Sequence, residues 1–314
     1  MKLTDTRLVT VALAAALAAG LAGCGTTASA NAPTTAGTAP NKLEGIDTQP
    51  AYDASIAKNV PEAFKKSGGL TVGTDATMAP KEFIAEDGKT FQGLDIDFTY
   101  AIGNVLGIKM NFVNAGFDTL LPGVQNGRYD VVASSAAPTL AREKVVDFVS
   151  VDRSGESLLI KSDKKATITS IESLCGMTAA AMKGSLQVED LSAQSTKCTD
   201  AGKKPINTSL YPDATAANLA LNSDRVDTAF FDTPTSAYQA KNSNGKLAVT
   251  GPIYRAGLEG IFMAKGKGLA QPVADAVNEL IKNGVYQKLL NKWGLDDSSI
   301  KTAYVNPATN GKTD

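Results

Sequence analysis

Arg142 is the residue around which a binding chemistry can be built. It sits in the stretch Asp130–Phe148, which opens as an apolar strand at Val131, Val132 and Ala133. The strand breaks into small residues, Ser134-Ser135-Ala136-Ala137-Pro138, and then presents one guanidinium before an apolar run resumes at Val145. Small side chains let a ligand approach backbone N–H groups, and a guanidinium fork holds a carboxylate through two parallel hydrogen bonds. A plain surface turn carrying an exposed arginine has the same pattern, so the surrounding chain has to decide. Other chemistries are cut away by composition. The chain has no histidine, which removes Ser-His-Asp and Cys-His catalysis and histidine metal sites. With three cysteines in all, a zinc site is not expected. No Gly-x4-Gly-Lys-Ser/Thr phosphate loop is present, so nucleotide chemistry would have to lie in a partner.

The 314 residues are 43% hydrophobic and 20% charged, which suits about two globular domains. A net charge of −1 offers no basic field for nucleic acid. Residues 1–23 read as a signal: Lys2 and Arg7 form a short basic region, and Leu8–Ala22 is an apolar run too short to span a bilayer comfortably. Its end, Leu21-Ala22-Gly23-Cys24, resembles the lipobox of bacterial lipoproteins, which implies cleavage before Cys24 and lipidation of its thiol. An ordinary secretory signal with a chance cysteine is the alternative. Residues 24–68 would then comprise the lipid anchor, a flexible tether and an N-terminal helix. Gly25 to Pro50, rich in Thr, Ala, Pro, Asn and Gly, is the tether. Outside the cytoplasm Cys175 and Cys198 are expected to pair, constraining the unfolded chain by roughly 3 kcal/mol; two buried free thiols are the alternative.

The elements that must position Arg142 alternate between strand and helix. Tyr52–Lys66 predicts a short surface helix with Pro61 at an N-terminal turn, Leu70–Thr74 a strand, and Asp75–Phe83 an irregular loop. Asp95 is a candidate N-cap for a helix whose apolar face is Phe98, Ile102, Val105 and Leu106, and Gly107 ends it. Lys109–Val113 is a strand, and Phe117, Leu120, Leu121 and Val124 mark another amphipathic helix. After Leu158-Leu159-Ile160 a second series begins: a strand at Met177–Ala181, a helix opened by Lys183-Gly184-Ser185, a strand at Ile206–Leu210 and an alanine-rich helix capped by Asp213. Val226–Phe231 is a strand ending at Asp232, with Thr233 capping the next helix and Pro234 at its first position. Leu247–Thr250 is a short strand and Gly260–Met263 a strand returning to the first series. Two C-terminal helical stripes follow, Val273 to Ile281 and Tyr286 to Trp293. The alternation predicts an α/β fold with a mostly parallel sheet, crossed twice by the chain near residues 157–160 and 252–259.

From Leu70 to Trp293 the chain resembles the family 3 extracellular solute-binding proteins, polar amino-acid receptors of bacterial ABC importers. The resemblance is carried, in order, by VGTDATMAPKEF, FQGLDIDFTYAI, FDTLLPGVQNGRYDVV, AREKVVDF, MKGSLQVEDL, DRVDTAFFD and NGVYQKLLNKWG. It implies a two-lobed, periplasmic-binding-protein type II-like fold with two hinge crossings: residues 69–157 plus 259–297 in lobe 1, 158–258 in lobe 2, and 298–314 as a polar tail. It places Arg142 on the ligand α-carboxylate and Asp232 on the α-ammonium, although Asp232 also reads as part of a helix cap. Backbone N–H groups near Ala137 and near Ser185-Leu186 would complete the carboxylate shell, Ser135 is a further ligand-contact candidate, and Met78 and Phe117 would border the ligand's flanks. Ala137, Leu186, Met78 and Lys81 depart from the family's usual residues, which leaves the clamp intact and the side-chain pocket open. Lys81 would favour an acidic or amide ligand side chain if it points into the cleft; if it points to solvent it carries no information.

The expected function is therefore a monomeric, non-catalytic receptor without cofactor or metal, anchored at the outer face of the cytoplasmic membrane and serving a permease and its ATPase. A dehydratase-like enzyme on the same scaffold, with Glu82 as the nearest carboxylate, and a sensory ligand-binding module are the alternatives.

Overall fold

The computed structural model describes residues 41–65 and 68–312. The expected signal, Cys24 and most of the expected tether lie outside the described residues. Among the described residues no helix is long and apolar enough to cross a membrane.

In chain order the elements are α1 (Ala54–Ala57), α2 (Glu62–Lys65), β1 (Leu70–Thr74), β2 (Thr77–Met78), β3 (Glu82–Ile84), β4 (Phe91–Gln92), α3 (Leu94–Leu106), β5 (Met110–Asn114), α4 (Phe117–Gln125), β6 (Val131–Ala136), α5 (Leu140–Glu143) and β7 (Val146–Lys161). There follow β8 (Thr178–Met182), α6 (Leu186–Asp200), β9 (Asn207–Tyr211), α7 (Ala214–Asn222), β10 (Thr228–Asp232), α8 (Thr233–Lys241), β11 (Leu247–Ala264), α9 (Ala270–Lys282) and α10 (Val285–Trp293). Eight strands form one sheet in the order β5-β1-β6-β11-β7-β10-β8-β9. β5, β1 and β6 pair in parallel at one side, and β10, β8 and β9 pair in parallel at the other. The seam between these blocks is antiparallel and consists of β11 and β7.

β7 and β11 are the two crossings. Each is a single long strand where the sequence predicted separate short ones. The stretch Asp152-Arg153-Ser154-Gly155 looks like a loop because it is polar, and Pro252 and Arg255 interrupt the pattern of β11. The ladder absorbs these residues through register shifts between Thr250 and Gly257, with Arg255 at φ +45°.

On either side of the seam lie separate cores. One lobe packs Phe98, Ile102, Val105, Val277, Leu280 and Leu289 between α3, α9 and α10 under β1 and β6. The expected apolar face of α3 is buried, and Gly107 ends the helix in the left-handed region. The other lobe packs Leu159, Ala217, Leu221 and Phe231 on one face of its sheet and Ile160, Leu174, Leu191 and Phe230 on the opposite face. The Cys175–Cys198 disulfide is formed there, joining the entry to β8 with α6.

Several expectations are corrected. Residues 41–50 are not a free tether: Leu43 is in the first core, and the Asn41 side chain donates to Ile108 O at 2.8 Å and accepts from Met110 N–H at 2.8 Å. Asn104 on α3 receives the Asn41 N–H at 2.9 Å, so the segment satisfies polar groups that a solvated tether would leave to water. Tyr52–Lys66 holds two short helices, because Asp53 caps the first and Pro61 stands between them. Asp75–Phe83 is partly β structure, since β2, β3 and β4 form a small antiparallel sheet. The cap of α3 is Gly93 at φ +129°, where any Cβ would meet Lys81 O at 2.0 Å, and Asp95 lies inside the first turn. The C-terminal stretch is not a loose tail. Val305 bridges to Val149 in β7, Tyr304 and Asn306 bond Ser150 and Phe148, and the buried Glu143 accepts N–H bonds from Ala308 and Thr309.

Candidate functional site

A cleft between the lobes gathers eight of the nine ligand-contacting residues expected from sequence: Met78, Phe117, Ser135, Ala137, Arg142, Ser185, Leu186 and Asp232. Its empty space, open mouth included, is about 470 Å³, the scale of a small-molecule site.

Arg142 rides on the single turn α5, whose start is fixed by Thr139 Oγ1 accepting the Arg142 N–H at 3.1 Å. The guanidinium donates to Ala137 O at 3.0 Å and to Gly184 O across the cleft at 3.4 Å, and lies 5.8 Å from the Phe117 ring centre. Burial pulls its pKa down, and Glu189 and Glu156 pull the other way. Among the described residues its hydrogen bonds go to carbonyls, so the fork has no carboxylate of its own.

Opposite it, α6 begins at Leu186 with no side chain capping it. The Ser185 hydroxyl turns back to Met182 O at 2.7 Å. The first amides of a 15-residue helix therefore stand at the cleft, where they and the helix dipole favour an anion. Gly184, at φ +77°, allows this approach, because a Cβ there would meet Asp118 Cα at 3.0 Å. The lobes also touch where Ala214 N–H donates to Thr77 Oγ1 at 3.1 Å.

Asp232 ends β10 and is itself the N-cap of α8, accepting Thr235 N–H at 3.3 Å. The expected threonine cap is corrected: Thr233 Oγ1 bonds Ser157 Oγ instead, at 2.8 Å. Asp232 Oδ1 is buried without a hydrogen-bond partner, and burial raises the carboxyl's pKa. Ser135 lies at φ +40°, its N–H given to Asp95 at 2.9 Å and its hydroxyl to Glu82 at 3.1 Å. Its backbone is thus held in a sparsely populated conformation by lobe 1. Met78, although part of lobe 1, packs among the lobe 2 core residues Met182 and Phe231.

Lys81 is the residue the sequence misplaced. It reaches neither the cleft nor solvent. It is fully buried and ion-paired to Asp152, to Asp95 at 3.0 Å and to Glu259 at 3.3 Å. Burial pulls its pKa down, but the carboxylates outweigh that and hold it well above the ordinary lysine value. Glu82 is buried beside this cluster, its carboxyl bonded by the Ser134 and Ser135 hydroxyls and its pKa pushed well up by burial and then by Asp95.

Glu156, Glu259, Met182 and Gln187 also border the cleft and were not expected. Glu156 left one cue, a carboxylate separated by one serine from the apolar run Leu158–Ile160. Burial, then Asp190, push its pKa up to about 8. Glu259 is raised well above the usual range by burial despite Lys81.

The comparisons agree with this architecture. The model of bacterial extracellular solute-binding proteins, family 3, matches residues 70–296. The arginine-binding protein ArgT of Corynebacterium glutamicum is 30% identical over 268 residues, 85% of this chain and 87% of that protein. The L-cystine-binding protein TcyJ of Escherichia coli K12 is 28% identical, covering 80% of this chain and 90% of that one. An ancestral arginine-binding protein bound to arginine is similar with a TM-score of 0.66 and 32% identity, over 72% of this chain and 98% of that one. An ancestral amino acid-binding protein described as a precursor of cyclohexadienyl dehydratase is similar with a TM-score of 0.67 and 29% identity, over 74% and 98%. With this match spanning both lobes and the seam between them, the chain belongs to the bacterial extracellular solute-binding proteins, family 3.

Proposed function

We propose that the chain captures a free amino acid between its lobes and presents it to the permease of an ABC importer, whose ATPase supplies the energy. One observation carries this reading: Arg142 and Asp232 border the same cleft from different lobes, and among the described residues neither forms an ion pair. A zwitterion entering the cleft loses its water shell, at a cost of several kcal/mol per uncompensated charge. Arg142 with the α6 amides compensates the carboxylate, and Asp232 compensates the ammonium. The ligand then bridges the lobes, so the closed arrangement alone has all contacts and is favoured by binding.

The ground for expecting an acidic or amide side chain was Lys81, and Lys81 is occupied. Glu156 and Glu259 place two carboxyl groups on the cleft wall that accept hydrogen bonds and ionise beside a cation, so a basic side chain is favoured over an acidic one, in keeping with the names of the arginine-binding relatives. Lipidation at Cys24 would hold the receptor at the outer face of the membrane; mass spectrometry of the mature N-terminus checks it. Glu82, the acid offered for a dehydratase reading, does not border the cleft; incubation with prephenate or arogenate yielding product would revive that reading.

The test is a thermal-shift panel of the common amino acids at about 1 mM, on protein refolded to strip bound ligand. A ligand at about 1,000 times its Kd stabilises by roughly 4 kcal/mol, a shift on the order of 10 °C. The shift should vanish in Arg142→Ala. No shift with any amino acid would refute the reading.

A further inference from the structure

We propose that Glu156 and Asp232 together form a paired carboxylate seat for the ammonium group of the bound amino acid, and that Glu156 gives up a proton when the ligand enters. This rests on the amino-acid-receptor reading above but not on which amino acid is bound.

The pairing is set by the sheet. In the antiparallel β7–β10 ladder Glu156 is directly opposite Asp232. Such cross-strand partners have Cβ atoms about 4.5–5.5 Å apart, and like charges there are destabilising. Both residues are buried, 7% and 5% exposed, and both border the cleft. Each has one buried carboxyl oxygen without a partner, Oε2 of Glu156 and Oδ1 of Asp232. Two such groups at this separation do not both stay charged unless a cation joins them.

Among the described residues the nearby cations are engaged elsewhere. Lys81 is held by Asp95, Asp152 and Glu259. Arg255 is held by Asp190 through Nε and Nη2, both at 2.6 Å. Arg142 donates to two carbonyls. A ligand ammonium is compact, carries three donors and suits a pair of acceptors.

Around Glu156 stand Asp232 on β10, Asp190 on α6, Tyr254 and Arg255 on β11, and Arg142 on α5, which Glu189 and Glu259 also influence. Burial and Asp190 outweigh Arg255 and keep Glu156 protonated at neutral pH while the cleft is empty. An ammonium beside it favours the anion, so the carboxyl O–H proton passes to solvent and the carboxylate accepts from the ligand N–H. No covalent bond to the ligand forms or breaks.

Isothermal titration at pH 7 in phosphate and in Tris, whose ionisation enthalpies differ, counts the protons. The probes are the common amino acids that bind, L-arginine and L-glutamine first. Up to about one proton should leave per ligand bound, and affinity should rise from pH 6 to pH 8. Glu156→Gln should abolish this release and weaken every bound amino acid by about tenfold or more. Binding without proton release by the unmutated protein overturns the proposal, and that arm needs no variant to fold. So does a Glu156→Gln protein that binds as tightly as before, or one weakened toward arginine alone, which would assign Glu156 to the side chain. Failure of all amino acids to bind would sink the receptor reading itself, and the seat with it.

Discussion

Burying Lys81 completely is tolerable only because three carboxylates from α3, β7 and β11 meet it. Removing one member of a buried ionic cluster leaves uncompensated charge, at about 3–5 kcal/mol. Lys81→Met is therefore expected to lower the melting temperature by on the order of 10 °C; an unchanged transition in calorimetry would show that the carboxylates can neutralise themselves. The acids of this region also set a pH dependence. Glu156 is raised to about 8, and Asp152 and Asp75 to about 6, burial being the first cause for each. The unfolded chain releases these protons near pH 4, and the folded protein keeps them to higher pH. Between those limits the folded state binds more protons, so stability falls as pH rises. Asp47, Asp53 and Asp87 are lowered by their hydrogen bonds and matter only at the acid end. The raised pKa of Lys81 matters only above the ordinary lysine range. The ligand-free protein should therefore melt several degrees higher at pH 5.5 than at pH 8, and Glu156→Gln should flatten that difference. At this scale the small-residue break after an apolar strand pointed to Arg142, and the family resemblance pointed to Asp232, and both border the cleft. Lys81 and Glu156 were not, because their partners, Glu259 and Asp232, come from strands distant in sequence.

Helices with a clear apolar stripe were legible: Phe98, Ile102 and Val105 fall on the buried face of α3 as spacing alone required. The long seam strands were not, since a polar stretch inside a sheet looks like a loop until its neighbours cover it. The C-terminal stretch was missed for a related reason. Its few apolar residues, Ile300 and Ala303, are enough only because Ser150 and Phe148 in β7 offer backbone bonds to it. Glu143 anchors this strap through the amides of Ala308 and Thr309 at 2.9 and 2.6 Å. Glu143→Ala should therefore cost about 1–3 kcal/mol and expose residues 304–309 to faster amide exchange. An exchange pattern unchanged from wild type would show that the β7 contacts suffice alone. Reduction of Cys175–Cys198 should destabilise lobe 2 by roughly 3 kcal/mol, read as a lower melting temperature in reductant.

Across the cleft the lobes meet where Thr77 accepts from Ala214, where Arg142 donates to Gly184, and where Met78 packs against Met182 and Phe231. Ligand should add the missing bridge. Small-angle scattering is expected to show a smaller radius of gyration with bound amino acid, and Asp232→Ala should leave the dimensions insensitive to it.

The seam has another consequence. Lobe 2 is a continuous excursion between β7 and β11, whereas lobe 1 is completed only when β11 returns to pair with β6, as in Val132 with Phe262. Contacts so distant in sequence form late, because loop closure precedes their reward. The inserted lobe can reach its native pairing from local chain alone, while the lobe holding both ends of the described chain must wait for it. Order of synthesis and order of folding are then reversed: in pulse-labelled refolding, amides of β8 and β10 should gain protection before those of β6, although β6 is made first.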